Sequence, residues 1–295
     1  MTKTAFIAIV GKPNVGKSSL LNKILGQKIA IVSSKPQTTR TKIMGVLTEG
    51  EIQLVFTDTP GFHRAHNKLG EKMNAAVGDT VGGVDACLFL TEPYGELNEQ
   101  ELQLIQMFKK QKLPVILAIN KIDMIKDKKE LLDRIVYLTS FYDFQAVVPI
   151  SAQNGDNIDE LKAELDKLTF ESPHYFPDDT LTDQPERVLV AEIIREKILR
   201  LMDKEIPHGI AVAIEKMSER DNADILDIEA TIYCERESHK GMVIGKNGAM
   251  LKKISTYARQ DIEKFFQIKV NLKCWVKVKL DWRNREGLIH NFGLD

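Results

Sequence analysis

The chain has 295 residues and a net charge of −1, a length that suits two domains, each large enough to bury its own core. It has no apolar run of the roughly 20 residues that a membrane-spanning helix needs, and its first residues do not form a signal-peptide pattern. Its three cysteines lie far apart, so no disulfide framework is indicated. We therefore expect a water-soluble, cytoplasmic protein.

The first 170 residues alternate short apolar runs with helical patterns. The apolar runs are Phe6–Val10, Ile43–Leu47, Ile52–Phe56, Ala86–Leu90, Val115–Ile119 and Val147–Ile150. This alternation predicts a mostly parallel, doubly wound α/β sheet, and the hairpin around Glu49 and Gly50 predicts one antiparallel edge strand. In such a sheet, ligands bind beyond the carboxyl ends of the strands.

The sequence changes character after residue 170. Segment 171–185 contains three prolines and several acidic residues without periodicity, which predicts a linker. Residues 186–295 then have the order α-β-β-α-α-β, which predicts a smaller α+β domain. In its last strand, residues 268–280, apolar residues alternate strictly with a second set that is mostly lysine, so one face should be buried and the other basic.

The basic residues are concentrated in this second part. Between Arg236 and Arg285 there are 13 lysines and arginines against 4 acidic residues, an excess of nine positive charges, so the rest of the chain carries a net charge of −10. Such a segment attracts a polyanion. Nucleic acid is the first candidate, and an anionic membrane surface is the second.

A glycine-rich loop, Gly11–Ser18, lies between the first strand and a helical pattern. Its spacing is G-x-x-x-x-G-K-[ST], in which converging backbone N–H groups and the helix N-terminus bind phosphate. In this pattern Lys17 adds charge at the β- and γ-phosphates, and the hydroxyl of Ser18 binds Mg²⁺. The loop predicts a nucleotide site.

Three further elements follow strands of the same predicted sheet. Asp58–Gly61 offers a carboxylate that can hold Mg²⁺ through water and a backbone N–H for the γ-phosphate. In Asn120–Asp123, the carboxylate of Asp123 can accept hydrogen bonds from N1–H and the 2-amino group of guanine, a pair that adenine lacks. A backbone N–H at Ser151–Ala152 can meet guanine O6. Together the four elements predict a site for GTP and GDP.

These elements resemble the Era family of GTPases, and the resemblance extends through Gln37–Arg40 and Val243–Gly248 to cover essentially the whole chain. It implies a P-loop GTPase domain over residues 1–170 and a type II K-homology (KH) RNA-binding domain over 186–295. It also implies that Thr39 binds Mg²⁺ in the triphosphate state, with the neighbouring Thr38 as the alternative.

The predicted residues fall into three groups. The nucleotide-binding residues are Gly11, Lys12, Pro13, Asn14, Val15, Gly16, Lys17, Ser18, Ser19, Asp58, Thr59, Pro60, Gly61, Asn120, Lys121, Asp123, Ser151 and Ala152. Asn14, Lys17, Thr39 and Gly61 are predicted to act in hydrolysis, and Ser18, Thr39 and Asp58 to hold Mg²⁺. The predicted RNA-binding residues are Val243, Ile244, Gly245, Lys246, Asn247, Gly248, Lys252 and Lys253.

The RNA prediction depends on context, since roughly one G-x-x-G is expected by chance in a chain with this glycine content. Here Gly245–Gly248 follows an apolar turn, precedes a long helix and carries lysines, as a KH loop does where it meets a phosphate backbone. The family resemblance further implies 16S ribosomal RNA near its 3′ end, 30S subunit assembly, a monomer and peripheral membrane association.

One position departs from the Ras-type pattern. The residue after Gly61, where those enzymes carry a water-orienting glutamine, is Phe62, which cannot hydrogen-bond to water. Era-like GTPases share an apolar residue here and are similar to enzymes that hold K⁺ at the position of Asn14. We therefore hypothesise that K⁺ at Asn14 supplies the charge that an arginine finger supplies elsewhere.

Three other classes of protein compete with this interpretation. A tandem ribosome-assembly GTPase would have two phosphate-binding loops, whereas this chain has one. An RNA-binding module with an inactive nucleotide site would show no GTP turnover. A membrane-recruited regulatory GTPase would use the basic segment to bind anionic lipid instead of RNA.

Overall fold

The structure is a computed structural model that describes residues 1–33, 35, 38–61, 67–202, 209–221 and 223–294. It contains two compact units. The first comprises Met1–Ala30, the described part of 39–65, and Gly70–Asp183. The second comprises the described parts of 31–38, 66–69 and 184–295. No helix in the described ranges is long and apolar enough to cross a membrane.

The first part of the chain forms a sheet flanked by helices. Its strands are β1 (Lys3–Gly11), β2 (Ile43–Glu49), β3 (Ile52–Asp58), β4 (Ala86–Thr91), β5 (Val115–Ile119), β6 (Ala146–Pro149) and β7 (Phe170–Glu171). Its helices are α1 (Lys17–Leu25), α2 (Lys68–Gly82), α3 (Glu99–Gln111), α4 (Lys128–Thr139) and α5 (Ile158–Asp166), with a 3-10 turn at Ile122–Met124.

The strand order is β2-β3-β1-β4-β5-β6, which confirms the predicted α/β class. Strands β3, β1, β4, β5 and β6 are mutually parallel, and β2 is the antiparallel edge strand expected from the hairpin. The short strand β7 was not predicted; it pairs antiparallel with the start of β1. The parallel order brings the carboxyl ends of β1, β3, β4, β5 and β6 to one edge.

Burial of β1 on both faces explains why its sequence is a continuous apolar run. Ile7 and Ile9 pack in the cluster that contains residues of α1 and α5, whereas Ala8 and Val10 pack in the cluster that contains residues of α2, α3 and α4. Each of these four side chains is fully buried. The central strand is therefore fixed from both sides, and the loop that follows it starts from a rigid position.

Segment 171–183, within the predicted linker 171–185, packs along β2 and β3 as part of the first unit. The Val46 N–H donates to the Leu181 carbonyl at 2.9 Å, so the segment covers the edge strand β2. The fully buried Gln53 accepts from the N–H groups of Tyr175 and Phe176 at 2.8 and 3.0 Å. These contacts give the segment a defined path.

The second unit is a smaller α+β domain, as predicted. Its elements are α6 (Glu186–Leu201), β8 (Ile210–Arg220), β9 (Ala223–Cys234), α7 (Glu237–Ile244), a 3-10 turn at Lys246–Gly248, α8 (Ala249–Phe266), β10 (Lys269–Val278), a 3-10 turn at Trp282–Asn284 and α9 (Glu286–Asn291). The sheet order is β10-β9-β8, with β10 parallel and β8 antiparallel to β9. Helices α6, α7 and α8 contribute to the core against this sheet.

Helix α6 also holds residues that precede it by more than 150 positions. The N–H of Val32 donates to Glu196 Oε1 at 3.0 Å, and the guanidinium of Arg200 donates to the Val32 carbonyl at 3.0 and 3.1 Å. Arg195 donates to the carbonyl of Thr38. Since Glu196 and Arg195 are 0 % and 2 % exposed, these charged groups are part of the packed structure of the second unit.

Candidate functional site

The loop Gly11–Ser18 leads from β1 into α1 with three residues at positive φ, the first of them Gly11 at 151°. Asn14 has a φ of 63° and Gly16 a φ of 107°. A Cβ added to Gly16 would lie 2.2 Å from Nδ2 of Asn120, so only glycine allows the loop after β5 to approach so closely. Because α1 begins at Lys17, the unpaired N–H groups of its first turn lie at this loop, where they can bind phosphate.

Lys17 is almost completely buried in this loop. Its Nζ donates to the carbonyls of Gly11 and Lys12, both at 3.1 Å. Burial lowers the pKa of Lys17 to about 8, against the opposing attraction of the Asp58 carboxylate. An anion bound in the loop stabilises the charged form of this lysine, as expected for a phosphate site.

Three side-chain oxygens meet at the ends of β3 and the loop. Ser18 Oγ donates to Asp58 Oδ2 at 2.6 Å, and Thr39 Oγ1 lies 2.8 Å from Ser18 Oγ. Burial raises the pKa of the fully buried Asp58 to about 6, and Lys17, Ser18 and Thr39 partly offset this effect. Asp58 Oδ1 is buried without a hydrogen-bond partner among the described residues.

This oxygen set fits Mg²⁺, which prefers hard oxygen ligands and binds proteins through one or two carboxylates together with substrate phosphates. The unpartnered Asp58 oxygen gives the ion or its bound water an acceptor. Of the two neighbouring threonines, Thr39 faces this set. The hydroxyl of Thr38 instead donates to the Lys35 carbonyl at 2.5 Å.

The segment after β3 also lies against the loop. Thr59 Oγ1 donates to the Ile9 carbonyl at 3.0 Å. A Cβ at Gly61 would lie 2.8 Å from Cα of Pro13, so a larger residue at position 61 would displace the two segments from each other. Gln37 and Phe62, both used in the sequence argument, lie outside the described residues.

Asn120 joins three loops. Its Nδ2 donates to the Val15 carbonyl at 2.8 Å, and its Oδ1 accepts from the N–H of Ala152 at 2.9 Å. Lys121, in a left-handed conformation with a φ of 68°, donates to the Asn14 carbonyl at 2.9 Å. Asn120, predicted from the sequence to bind the nucleotide, thus also positions the loops around it.

Asp123 lies at the same edge and is exposed. One of its carboxylate oxygens accepts from the hydroxyl of Ser151 at 2.6 Å, and Ser151 is itself fully buried. The buried serine therefore fixes the orientation of a carboxylate that faces solvent. This arrangement suits recognition of the two guanine donors.

Glu92 was missed by the sequence argument. It directly follows β4 and forms ion pairs with Lys12 and Lys121, one from each of the two predicted loops. A polar residue directly after an apolar run marks Glu92 in the sequence, as it marks Asp58 and Asn120. Glu92 belongs to no motif with a characteristic spacing, so the sequence alone does not single it out.

The loop Gly245–Gly248 in the second unit connects α7 to α8. Gly245 has a φ of 71°, and a Cβ there would lie 2.7 Å from that of Met250. Lys246 and Asn247 are exposed at the tip.

The remaining residues of the predicted RNA site divide between surface and core. Lys252 and Lys253 are exposed near the start of α8, and Ile244 is half-buried. Val243, also predicted to bind RNA, is fully buried in the core, so it supports the loop from beneath and presents no surface to a ligand.

Comparison with known proteins identifies the family. The family model described as a 50S ribosome-binding GTPase matches residues 6–121, and the KH domain model matches residues 205–283. The GTPase Era of Clostridioides difficile strain 630 is 50% identical over 293 residues, covering 99% of both chains. The chain belongs to the Era family of GTPases. The GTPase Era of Alkaliphilus metalliredigens is 49% identical over 294 residues, again covering 99% of each chain.

Two solved structures of Era proteins have the same fold. A variant of Aquifex aeolicus Era bound to GDP·AlF4⁻ has a TM-score of 0.95 at 39% identity, covering 99% of each chain. Era in complex with MgGDPNP and nucleotides 1506–1542 of 16S ribosomal RNA has a TM-score of 0.96 at 39% identity, covering 100% of this chain and 99% of the other. This chain is thus a GTPase with a P-loop domain followed by a KH domain.

Replacing Asp123 by Asn tests base selection. The amide loses one of the two acceptors for guanine and gains a donor for the 2-oxo group of xanthine. We expect GDP affinity to fall about 10³-fold or more while xanthosine diphosphate becomes the preferred ligand. Isothermal titration calorimetry with both nucleotides measures this exchange.

Asp127→Asn is the matched control, because Asp127 caps α4 through the N–H of Lys129. It should leave the preference for guanine unchanged. An Asp123→Asn variant that still prefers GDP would contradict the assignment.

Proposed function

We propose that this protein is a GTP-hydrolysing switch that binds 16S ribosomal RNA near its 3′ end and assists assembly of the 30S subunit. Its GTPase domain would span residues 1–170 and its KH domain 186–295. The observation that carries the proposal is the presence in one chain of a buried phosphate and Mg²⁺ donor set and an exposed, lysine-bearing glycine loop. The Era complex with MgGDPNP and 16S RNA nucleotides supports it.

In hydrolysis, water attacks the γ-phosphate in line with the leaving β-phosphate. Lys17 and the N–H groups of the loop Gly11–Ser18 offset the negative charge that develops, and the N–H of Gly61 contacts the γ-phosphate. Ser18 and Thr39 would hold Mg²⁺ directly and Asp58 through water, and the ion would supply positive charge at the phosphates. Asp123 selects the base, and Asn120 and Lys121 keep the base and phosphate halves of the site together.

Potassium at Asn14 is part of the proposal for the catalytic step. Asn14 has a left-handed conformation in the phosphate loop, and from this position it would hold a monovalent cation beside the phosphates. Phe62 occupies the position of the water-orienting glutamine and cannot hydrogen-bond to water, so added positive charge would compensate for the missing glutamine.

Turnover in KCl compared with NaCl tests this part. We expect GTP hydrolysis to be about tenfold faster or more in KCl, with GDP affinity alike in both salts. The Asn14→Ala variant should lose most of the difference. Equal rates in the two salts for the unaltered protein would remove potassium from the mechanism.

RNA binding is assigned to the loop Gly245–Gly248. Its left-handed residues, including Asn247 at a φ of 50°, keep the tip compact, and Lys246, Lys252 and Lys253 surround it with positive charge. Small residues there let a phosphate backbone approach closely.

A double charge change at this loop tests the assignment. Lys246→Asp combined with Asn247→Asp should weaken binding of an oligonucleotide with the 16S 3′-end sequence about 10-fold or more, since both changes repel phosphate. Fluorescence anisotropy measures the affinity. Lys128→Asp with Lys129→Asp, on the exposed start of α4, should leave it unchanged. Unaltered RNA affinity in the loop variant would reject the site.

Coupling between GTP and RNA would pass through the segment 31–38. This segment belongs to the second unit, where Arg195, Glu196 and Arg200 of α6 hold its backbone. It continues through the peptide bond of Thr38 into Thr39, the predicted Mg²⁺ ligand. Loss of the γ-phosphate would release Thr39, and a displacement of Thr39 would reach α6 through the hydrogen bond between Arg195 and the Thr38 carbonyl.

Arg200→Gln tests this route, because Arg200 is half-exposed and the buried Glu196 that it pairs with keeps Lys197 as a partner. We expect RNA affinity in the GDP state to be unchanged and the ratio of RNA affinities between GTP-analogue and GDP states to fall towards one. Arg187→Gln, exposed at the start of α6, serves as control. An undiminished ratio in Arg200→Gln would show that coupling takes another path.

The proposal also places the protein as a monomer in the cytoplasm, with peripheral contact to anionic membrane through the basic segment 236–285. The charge of that segment supports this contact. The alternative, a regulatory GTPase recruited to lipid alone, would bind anionic vesicles and show no preference for the 16S sequence. Competition between vesicles and the oligonucleotide separates the two.

A further inference from the structure

Glu92 bridges two loops of the nucleotide site with a single carboxylate. It lies one residue beyond β4. Its Oε2 pairs with Nζ of Lys12, and its Oε1 lies 2.5 Å from Nζ of Lys121. Lys12 belongs to the phosphate loop Gly11–Ser18, and Lys121 belongs to the base-recognition element Asn120–Asp123. Each carboxylate oxygen therefore fastens a different loop.

The position of Glu92 is itself fixed from the opposite side. Arg134, on α4 and 7 % exposed, donates through Nε to the Glu92 carbonyl at 3.0 Å and through Nη1 to the carbonyl of Gly95. The next residue, Pro93, is buried. The backbone that carries the Glu92 side chain is thus anchored, so the carboxylate is presented from a rigid base.

The charge of Glu92 is secured by its partners. Burial raises its pKa, but the hydrogen bonds and charges of Lys12 and Lys121 outweigh this and hold the pKa below its ordinary value. The carboxylate is therefore ionised at neutral pH. It also cancels the mutual repulsion of two ammonium groups that would otherwise face each other across the loops.

Both fastened loops contain strained backbone. Asn14 and Lys121 have φ values of 63° and 68°, a conformation that residues with a Cβ adopt at a cost. Lys121 Nζ, held by Glu92, also donates to the Asn14 carbonyl at 2.9 Å. The Glu92 carboxylate thus stabilises Lys121, and the hydrogen bond from Lys121 to the Asn14 carbonyl helps to keep both residues in their left-handed conformations.

We propose that Glu92 is a positioning residue for nucleotide binding. Its carboxylate holds the phosphate loop and the base-recognition element at a fixed separation before the nucleotide arrives. Prior ordering of this kind lowers the entropic cost of binding. Because Glu92 makes no described contact with the predicted Mg²⁺ ligands Ser18 and Thr39 or with Gly61, we expect its loss to act mainly on nucleotide affinity.

The competing explanation is that Glu92 only neutralises local charge. Glu92→Asp separates the two explanations, because aspartate keeps the charge but is one methylene shorter and cannot reach both lysines. If only charge matters, Glu92→Asp behaves as the unaltered protein. If Glu92 positions the loops, Glu92→Asp loses much of the affinity that Glu92→Gln loses.

The test compares GDP affinity by calorimetry with steady-state GTP turnover. For Glu92→Gln we expect Kd for GDP and KM for GTP to rise about tenfold, since two partly exposed ion pairs are lost, with kcat changed by less than about twofold. The defect should shrink at about 0.5 M salt, where such pairs are screened. Glu96→Gln, an exposed glutamate four residues later, is the matched control and should change neither constant.

A second background makes the test independent of folding defects. In the variant carrying Lys12→Met and Lys121→Met, adding Glu92→Gln should cause no further loss of GDP affinity, because the carboxylate then has neither partner. Thermal unfolding of each variant confirms that it is folded. Four results would overturn the proposal. Two concern Glu92→Gln: a further loss of GDP affinity in the double-methionine background, or an unchanged Kd when it is the only change. The other two are a Glu92→Asp variant equal to the unaltered protein and a fall in kcat without a rise in KM.

Discussion

A buried lysine and a buried aspartate of opposite charge govern the nucleotide site. Lys17 is the first residue of α1, and Asp58 is the last residue of β3. Strand β3 runs parallel to β1, and Asp58 pairs with Ile9 of β1. Burial shifts the pKa of Lys17 down to about 8 and that of Asp58 up to about 6. Each group thus lacks the solvation its charge needs. Phosphate next to the lysine and Mg²⁺ next to the carboxylate would restore that stabilisation, so these desolvated charges favour binding of such ligands.

The two halves of the site are held in different ways. Around the base-recognition element, side chains fasten the loops to one another through backbone carbonyls: Asn120 to Val15 and Lys121 to Asn14. On the γ-phosphate side, Thr39 is connected by hydroxyl contacts to Ser18 and Asp58. Each such contact contributes only a small net stability. Among the described contacts, the loops around Asn120 are tied together by more hydrogen bonds than Thr39 is.

Prediction from sequence succeeded where a signal is local. The runs Phe6–Val10 and Val115–Ile119 are strands because a strand buried on both faces must be apolar throughout, and a short window shows this. It has no signal to use where a residue draws its partners from far along the chain. Gln53 looks like a polar position in a strand, yet it is fully buried because Tyr175 and Phe176 satisfy it. Val243 looks like part of a binding surface but fills the core.

The sequence by itself determined the chemistry of the phosphate loop and the order of the two domains. A loop of eight consecutive residues creates its own anion site from adjacent N–H groups, and apolar periodicity reports each element without knowledge of its neighbours. Only the tertiary structure decided which charges meet. The chain has 41 lysines and arginines and 42 acidic residues, and no local pattern shows that Glu92 will pair with Lys12 and Lys121. Nor does any local pattern show that Arg195 will bind the carbonyl of Thr38, which lies 157 residues earlier in the chain. Those pairs exist because the parallel sheet brings strand ends together and because packing buries α6 against a distant segment.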